Sequence, residues 1–103
     1  MTTLKIEHAI TDFDTWRAAF GRDPAGRQAS GVRRYRVFRP VDDERYVLVH
    51  LDFDGPDPAR AFLEKLEGIW ARTDLSPGLA RTQGPSVSPA RGRVFEQVEA
   101  HEY

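Results

Sequence analysis

Apolar and charged residues alternate along Leu4-Lys5-Ile6-Glu7-His8-Ala9-Ile10, the period of a strand with one buried face. Thr11-Asp12-Phe13-Asp14 then has the spacing of a capping box with aspartate in place of glutamate, and Phe13, Trp16 and Phe20 recur at helical intervals. This predicts a first helix whose aromatic stripe lies on the sheet. The helix is weakened at Gly21 and broken near Asp23-Pro24, with Pro24 able to restart it as far as Ser30-Gly31. Val32-Arg33-Arg34-Tyr35-Arg36-Val37-Phe38-Arg39 has the composition of a strand but carries arginines on both parities. It reads as an edge strand, since long basic side chains discourage pairing with another chain while their stems cover apolar surface. Pro40 to Glu44 makes a tight acidic connection into the next strand.

That next stretch, Arg45 to Phe53, organises the rest. Val47, Val49, Leu51 and Phe53 fall on one parity, Tyr46 and Leu48 on the other, so neither face looks fully solvated and the strand is predicted to be central. After Asp54-Gly55-Pro56, Asp57 is expected to cap and Pro58 to open a second helix, with Ala59, Phe62, Leu63, Leu66, Ile69 and Trp70 along one face. Residues 73–92 hold three prolines and three glycines with no sustained period, and a loop of that length serves to bind, to cover something, or stays disordered. Arg93 to His101 is read as the final strand.

Strand, helix, strand, strand, helix, strand predicts a single α+β domain over residues 1–103, the ferredoxin-like βαββαβ arrangement with a four-stranded antiparallel sheet and both helices on one face. Two helices can cover only one face of a central strand that is apolar on both. A second copy is the expected cover for the other, giving a homodimeric α/β barrel with a chamber between the sheets.

Composition narrows the partners. With 15 Lys and Arg against 16 Asp and Glu the net charge is -1, and nothing global steers the chain towards nucleic acid or anionic membranes. The basic, aromatic run from Arg33 to Arg39 invites comparison with RNA-recognition modules, which share this topology. Their signature falls on the third strand, and Tyr46-Val47-Leu48-Val49-His50 lacks it, so no nucleic-acid partner is expected. The absence of cysteine excludes disulfides, thiolate metal sites and cysteine nucleophiles. There is no basic-then-apolar leader and no apolar run near the ~18 residues that span a bilayer, so no membrane partner and a cytoplasmic location are expected.

His8-Ala9-Ile10-Thr11-Asp12-Phe13-Asp14-Thr15-Trp16 resembles the His-x-Val-x-Asp-Tyr-x-x-Trp opening of small dimeric α+β barrel proteins related to antibiotic biosynthesis monooxygenases and polyketide-cyclase-like proteins. The likeness runs over residues 3–72, through the central strand, an acidic turn and the helix containing Ala61-Phe62-Leu63. It implies two ferredoxin-like subunits packed sheet against sheet, with a pocket in each half. Such proteins include cofactor-free oxygenases, cyclases, isomerases, haem-degrading enzymes and members without known activity. The chain departs from them after Trp70, where the Pro- and Gly-rich segment replaces a short connection.

Among polar residues, His8 and His50 stand out because an imidazole exchanges protons near neutrality. His8 has a structural reading, as a cap or tether of the first helix, and a functional one, as a ligand contact. His50 shares its parity with Tyr46, Leu48 and Asp52. If the helices cover the Val47 and Val49 face, His50 points into the barrel, where Asp52 could orient it or raise its pKa. Tyr35 could donate to a carbonyl or enolate oxygen, with Arg33 on the same parity as an anion partner. His8, His50 and Asp52 match the two-histidine, one-carboxylate count of non-haem iron, but three ligands from separate strands without a local pair do not make a metal signature. No metal, haem or other cofactor is expected. Trp16 and Trp70 belong to core stripes, and the serines near 86–88 lack a nucleophile elbow.

The functional expectation is a barrel that binds a small apolar, aromatic or polyketide-like molecule, acting as a cofactor-independent monooxygenase, cyclase or isomerase on an enolisable substrate. His50 would be the base, Asp52 would orient it, Tyr35 and Arg33 would stabilise negative charge, and Tyr46, Leu48 and His8 would line the site. The alternative is a non-catalytic dimer, a ligand-sequestering, stress or accessory protein.

Overall fold

A computed structural model describes residues 1–71 and 90–103. In chain order the elements are β1 (Thr2–Ala9), α1 (Phe13–Gly21), β2 (Arg34–Phe38), β3 (Tyr46–Phe53), α2 (Pro56–Trp70) and β4 (Arg91–Glu96). The strands form one antiparallel sheet in the order β2-β3-β1-β4, so β1 and β3 occupy the middle, and the fold is ferredoxin-like α+β as the pattern predicts. Leu4 and Ile6 of β1 and Val47, Val49, Leu51 and Phe53 of β3 are buried against Trp16, Ala59 and Phe62 of the helices. The strand period of two therefore sends the opposite parity, including Tyr46, Leu48 and His50, to the open side of the sheet.

Helix boundaries differ slightly from the sequence expectation. The Asp12 carboxylate, not Thr11, caps α1, accepting the Thr15 backbone N–H at 2.8 Å. In α2 Pro56 takes the first turn behind an uncapped Gly55, and Asp57 lies inside the helix, where its charge complements the amino-terminal end of the dipole. Pro24 does not restart a helix. Asp23 enters the left-handed region at φ 54° and its carboxylate accepts the Arg27 N–H at 2.9 Å, turning the chain back through Gly26 and Gly31, both at positive φ. The Arg27 side chain closes this loop by donating to the Phe20 carbonyl at 2.8 Å and lying over the rings of Phe20 and Tyr35.

The last strand is the main correction. It runs from Arg91 to Glu96 instead of Arg93 to His101, and Val98 is 92% exposed beyond it. It stops at Glu96 because its partner β1 begins at Thr2, and it starts early through Gly92, which pairs with Ile6 where α2 presses on the sheet: a Cβ there would lie 2.6 Å from Leu63 Cδ1 and 2.9 Å from Ile6 Cγ2. A residue that punctuates loops by propensity is here a strand residue because nothing larger fits. The pocket-covering loop expected over 73–92 lies outside the described residues up to residue 89, and residues 91 and 92 belong to β4. No helix of the described residues is long and apolar enough to cross a membrane.

Candidate functional site

The two histidines of the central strands lie on opposite faces of the sheet. His8 shares its face with Leu4 and Ile6 and is 3% exposed, under the helices. Trp16 Nε1 donates to His8 Nε2 at 2.8 Å, tying α1 to β1, and the Trp70 ring stands edge-on at 6.2 Å between centroids. Burial pulls the His8 pKa down from 6.5 to about 4, so the ring is neutral at neutral pH. With Nε2 accepting, the proton of the neutral ring sits on Nδ1. Nδ1 is buried and has no hydrogen-bond partner among the described residues. Such an unsatisfied donor costs about 1–3 kcal/mol, a cost that an entering acceptor would relieve.

His8 lines a cavity of about 80 Å³ between the helices and the sheet, with Trp16, Phe20, Leu51, Leu66 and Trp70 among its walls. The walls are largely aromatic and aliphatic, and Asp23 and Arg27 are the charged residues among them. The chemistry available there is hydrogen-bond donation from a neutral imidazole to a carbonyl or enolate oxygen. Base catalysis through Nε2 is blocked by the tryptophan proton.

His50 lies on the open face, as its parity requires once the helices cover Val47 and Val49. Its Nε2 is buried without a hydrogen-bond partner among the described residues, and its ring packs on Phe38 at 4.9 Å between centroids. Asp52 shares the face but does not orient His50. It is 2% exposed and accepts from the Thr3 hydroxyl at 2.8 Å and from the Arg34 guanidinium. Burial pushes the Asp52 carboxyl up, but those two donors outweigh it and hold it below the ordinary value. Asp52 does pull the His50 pKa up, as expected, but the net shift is downward. Burial, then Lys5 and Arg36, lower it, and the opposing pull of Asp52 is the smallest influence.

Tyr35 and Arg33 are not brought to His50. The pairing of Arg36 with His50 and of Tyr35 with Leu51 puts Tyr35 on the helix side, where it meets Phe20 edge-on at 5.2 Å. Arg33 precedes β2 and pairs with Asp54 at 2.6 Å. Leu48 and Tyr46 are half-buried on the open face, Tyr46 beside the Glu7–Arg91 ion pair, which closes at 2.6 Å. Since His8 and His50 point to opposite sides, the two-histidine, one-carboxylate set is not assembled, and no group of three metal-ligating side chains occurs among the described residues. Trp16 lies in the core as expected, and His8 tethers the first helix as one of its two readings had it, through an indole that the sequence did not single out as its partner. The signal was present in the aromatic position that faces back across the first strand when β1 and α1 are joined by a short turn.

No family model matches the chain, and no curated protein matches it. Among solved structures, the chain is similar to one described as a "Putative antibiotic biosynthesis monooxygenase from Nitrosomonas europaea", with a TM-score of 0.57 and 15% identity over 96% of this chain and 100% of that one. At that identity the likeness is one of fold, the class being the ferredoxin-like α+β domain.

Proposed function

We propose that the protein binds a small apolar or aromatic ligand bearing a carbonyl, phenol or enol oxygen in the cavity between the helices and the sheet, with His8 Nδ1–H as the donor to that oxygen. The observation that supports this is the buried imidazole at an apolar wall, one nitrogen tied to Trp16 and the other unpartnered among the described residues. Cofactor-independent monooxygenation, cyclisation or isomerisation is the reaction class in keeping with it, because an N–H aimed at a developing enolate stabilises charge that forms only during reaction. At about 80 Å³ the cavity is well under the ~300–1,000 Å³ of drug-sized sites. It suits a single small ring better than a fused polyketide, and the same smallness supports the alternative of a non-catalytic ligand-sequestering protein. The proposed assembly is a homodimer closed over the open sheet face, supported by the exposed rings of Phe38 and Phe95 there.

Both tryptophans of the chain border the cavity, so intrinsic fluorescence reports on its occupancy. Titration with phenol and with a small β-diketone is expected to give saturable quenching that weakens by about tenfold in His8→Phe, the loss of one buried hydrogen bond. His8→Gln, which keeps an N–H donor, is the companion variant. Absence of saturable binding in the wild-type protein ends this reading.

A further inference from the structure

The open sheet face carries a pattern that the proposed ligand site does not use. The registers of the three strand pairs place Arg36, His50, Lys5 and Arg93 in one row straight across all four strands. The flanking rows are Arg34, Asp52, Thr3, Phe95 and Phe38, Leu48, Glu7, Arg91. In those rows each arginine has a carboxylate, Arg34 on Asp52 and Arg91 on Glu7. In the middle row Lys5, Arg36 and Arg93 are exposed and form no ion pair among the described residues.

Like charges directly opposite one another on neighbouring strands, roughly 4.8 Å apart, destabilise a sheet. A row that keeps three cations and an imidazole while both flanking rows are neutralised is suited to an anion. We propose that the row Arg36–His50–Lys5–Arg93 binds a small molecule carrying a divalent oxyanion, a phosphomonoester or a dicarboxylate. Lys5 and Arg93, adjacent across β1 and β4, supply paired charge. His50 lines the same depression as Lys5 and Arg93, with Leu48 and Phe95 as its apolar wall and Glu7, held by Arg91, at its edge. A second copy closed over this face would set one such row against another, so the need for a counter-anion grows in a dimer.

A single-stranded nucleic acid would also bring phosphates, but it would need free ring faces for its bases. Here Lys5 Nζ lies 4.8 Å from the centre of the Phe95 ring, and the Arg36 guanidinium 6.0 Å from that of Phe38. The chain's own cations occupy the positions where bases would stack, which favours the small oxyanion.

The test follows the His50 imidazole by nitrogen and proton NMR in the full chain, at constant ionic strength, against inorganic phosphate and, separately, succinate. The groups facing His50 are Lys5 and Arg36 with positive charge and Asp52 with negative charge. A bound dianion offsets the two cations, so the His50 pKa is expected to rise by about half a pH unit or more, saturably. Lys5→Gln and Arg93→Gln are each expected to weaken binding by about tenfold, the loss of one charge-assisted contact, whereas Arg60→Gln on the outer side of α2 leaves it unchanged. All three side chains are exposed, so the variants keep the fold. Response to phosphate alone identifies the phosphomonoester, response to succinate alone the dicarboxylate. No His50 response to either up to ~20 mM, or an equal response in the Lys5→Gln/Arg93→Gln double variant, overturns the proposal. So does tighter, steeply salt-dependent binding of a single-stranded RNA of about 12 nucleotides, which would assign the face to nucleic acid.

Discussion

Acid should loosen this protein through His8. The folded ring resists protonation until about pH 4, whereas an unfolded chain takes the proton near 6.5. The unfolded state therefore binds more protons between those values, so the stabilisation is fully present above about pH 6.5 and is lost progressively as pH falls towards 4. At ~1.4 kcal/mol per pH unit the gap from 6.5 to about 4 is worth about 3 kcal/mol, of which about 2 is gone by pH 5. Against a total stability of ~5–15 kcal/mol for a domain of this kind, that is a large fraction. The assay is urea unfolding at several pH values from about 7.5 to 4.5, wild type beside His8→Gln, whose amide oxygen can still accept the Trp16 proton but does not titrate. His50 is also held below its ordinary value and contributes with the same sign, but both proteins share it, so their difference isolates His8. The gap between the two curves should narrow or reverse in favour of the glutamine as acid is added. Parallel loss of stability in the two proteins through this window would refute the reasoning.

Gly92→Ala should lower the urea midpoint, by about 1–3 kcal/mol of stability, because the added methyl meets Ile6 and Leu63 in a packed layer. Asp52→Asn should cost about 1–3 kcal/mol at neutral pH, read by thermal or urea unfolding, since it replaces a buried carboxylate that accepts from both Thr3 and Arg34. Because the Asp52 carboxyl sits below its ordinary 3.8, its contribution is present above that value and fades only as pH falls further, a window distinct from that of His8. Tyr35→Phe should change stability by no more than about 0.5 kcal/mol and leave the His50 titration unaltered, since its ring lies on the other side of the sheet.

The fold could be read from the chain because its signals are local and repeated: the even-numbered face of β1, the two-sided β3 and the apolar stripe of α2 each specify an element without reference to the others. The site could not, because it depends on register. Tyr35 is a polar-tipped residue on a basic strand in either reading. Only the pairing of Val37 with Val49 decides that it faces Phe20 and not His50. The same holds for the cationic row: Lys5, Arg36 and Arg93 are unremarkable in their own strands and become a feature when β1 and β2 are aligned on β3 and β4 on β1. The open face was expected to be greasy from Tyr46 and Leu48, yet it also carries Lys5, Arg34, Arg36, Arg91 and Arg93 from the other strands. Gly92 misled because its reason for being there, the approach of Leu63, lies in another element.

The open sheet face holds five of the chain's 15 Lys and Arg but only two of its 16 Asp and Glu. A molecule of almost zero overall charge is thus electrically two-sided. Its isoelectric point near 6.3 forecasts retention on an anion exchanger above neutrality, yet a single subunit, with this side uncovered, should cling to a sulfonate resin at modest salt and let go as phosphate is added. Bulk titration averages such a plate to nothing, whereas any charged surface it meets selects which side to hold.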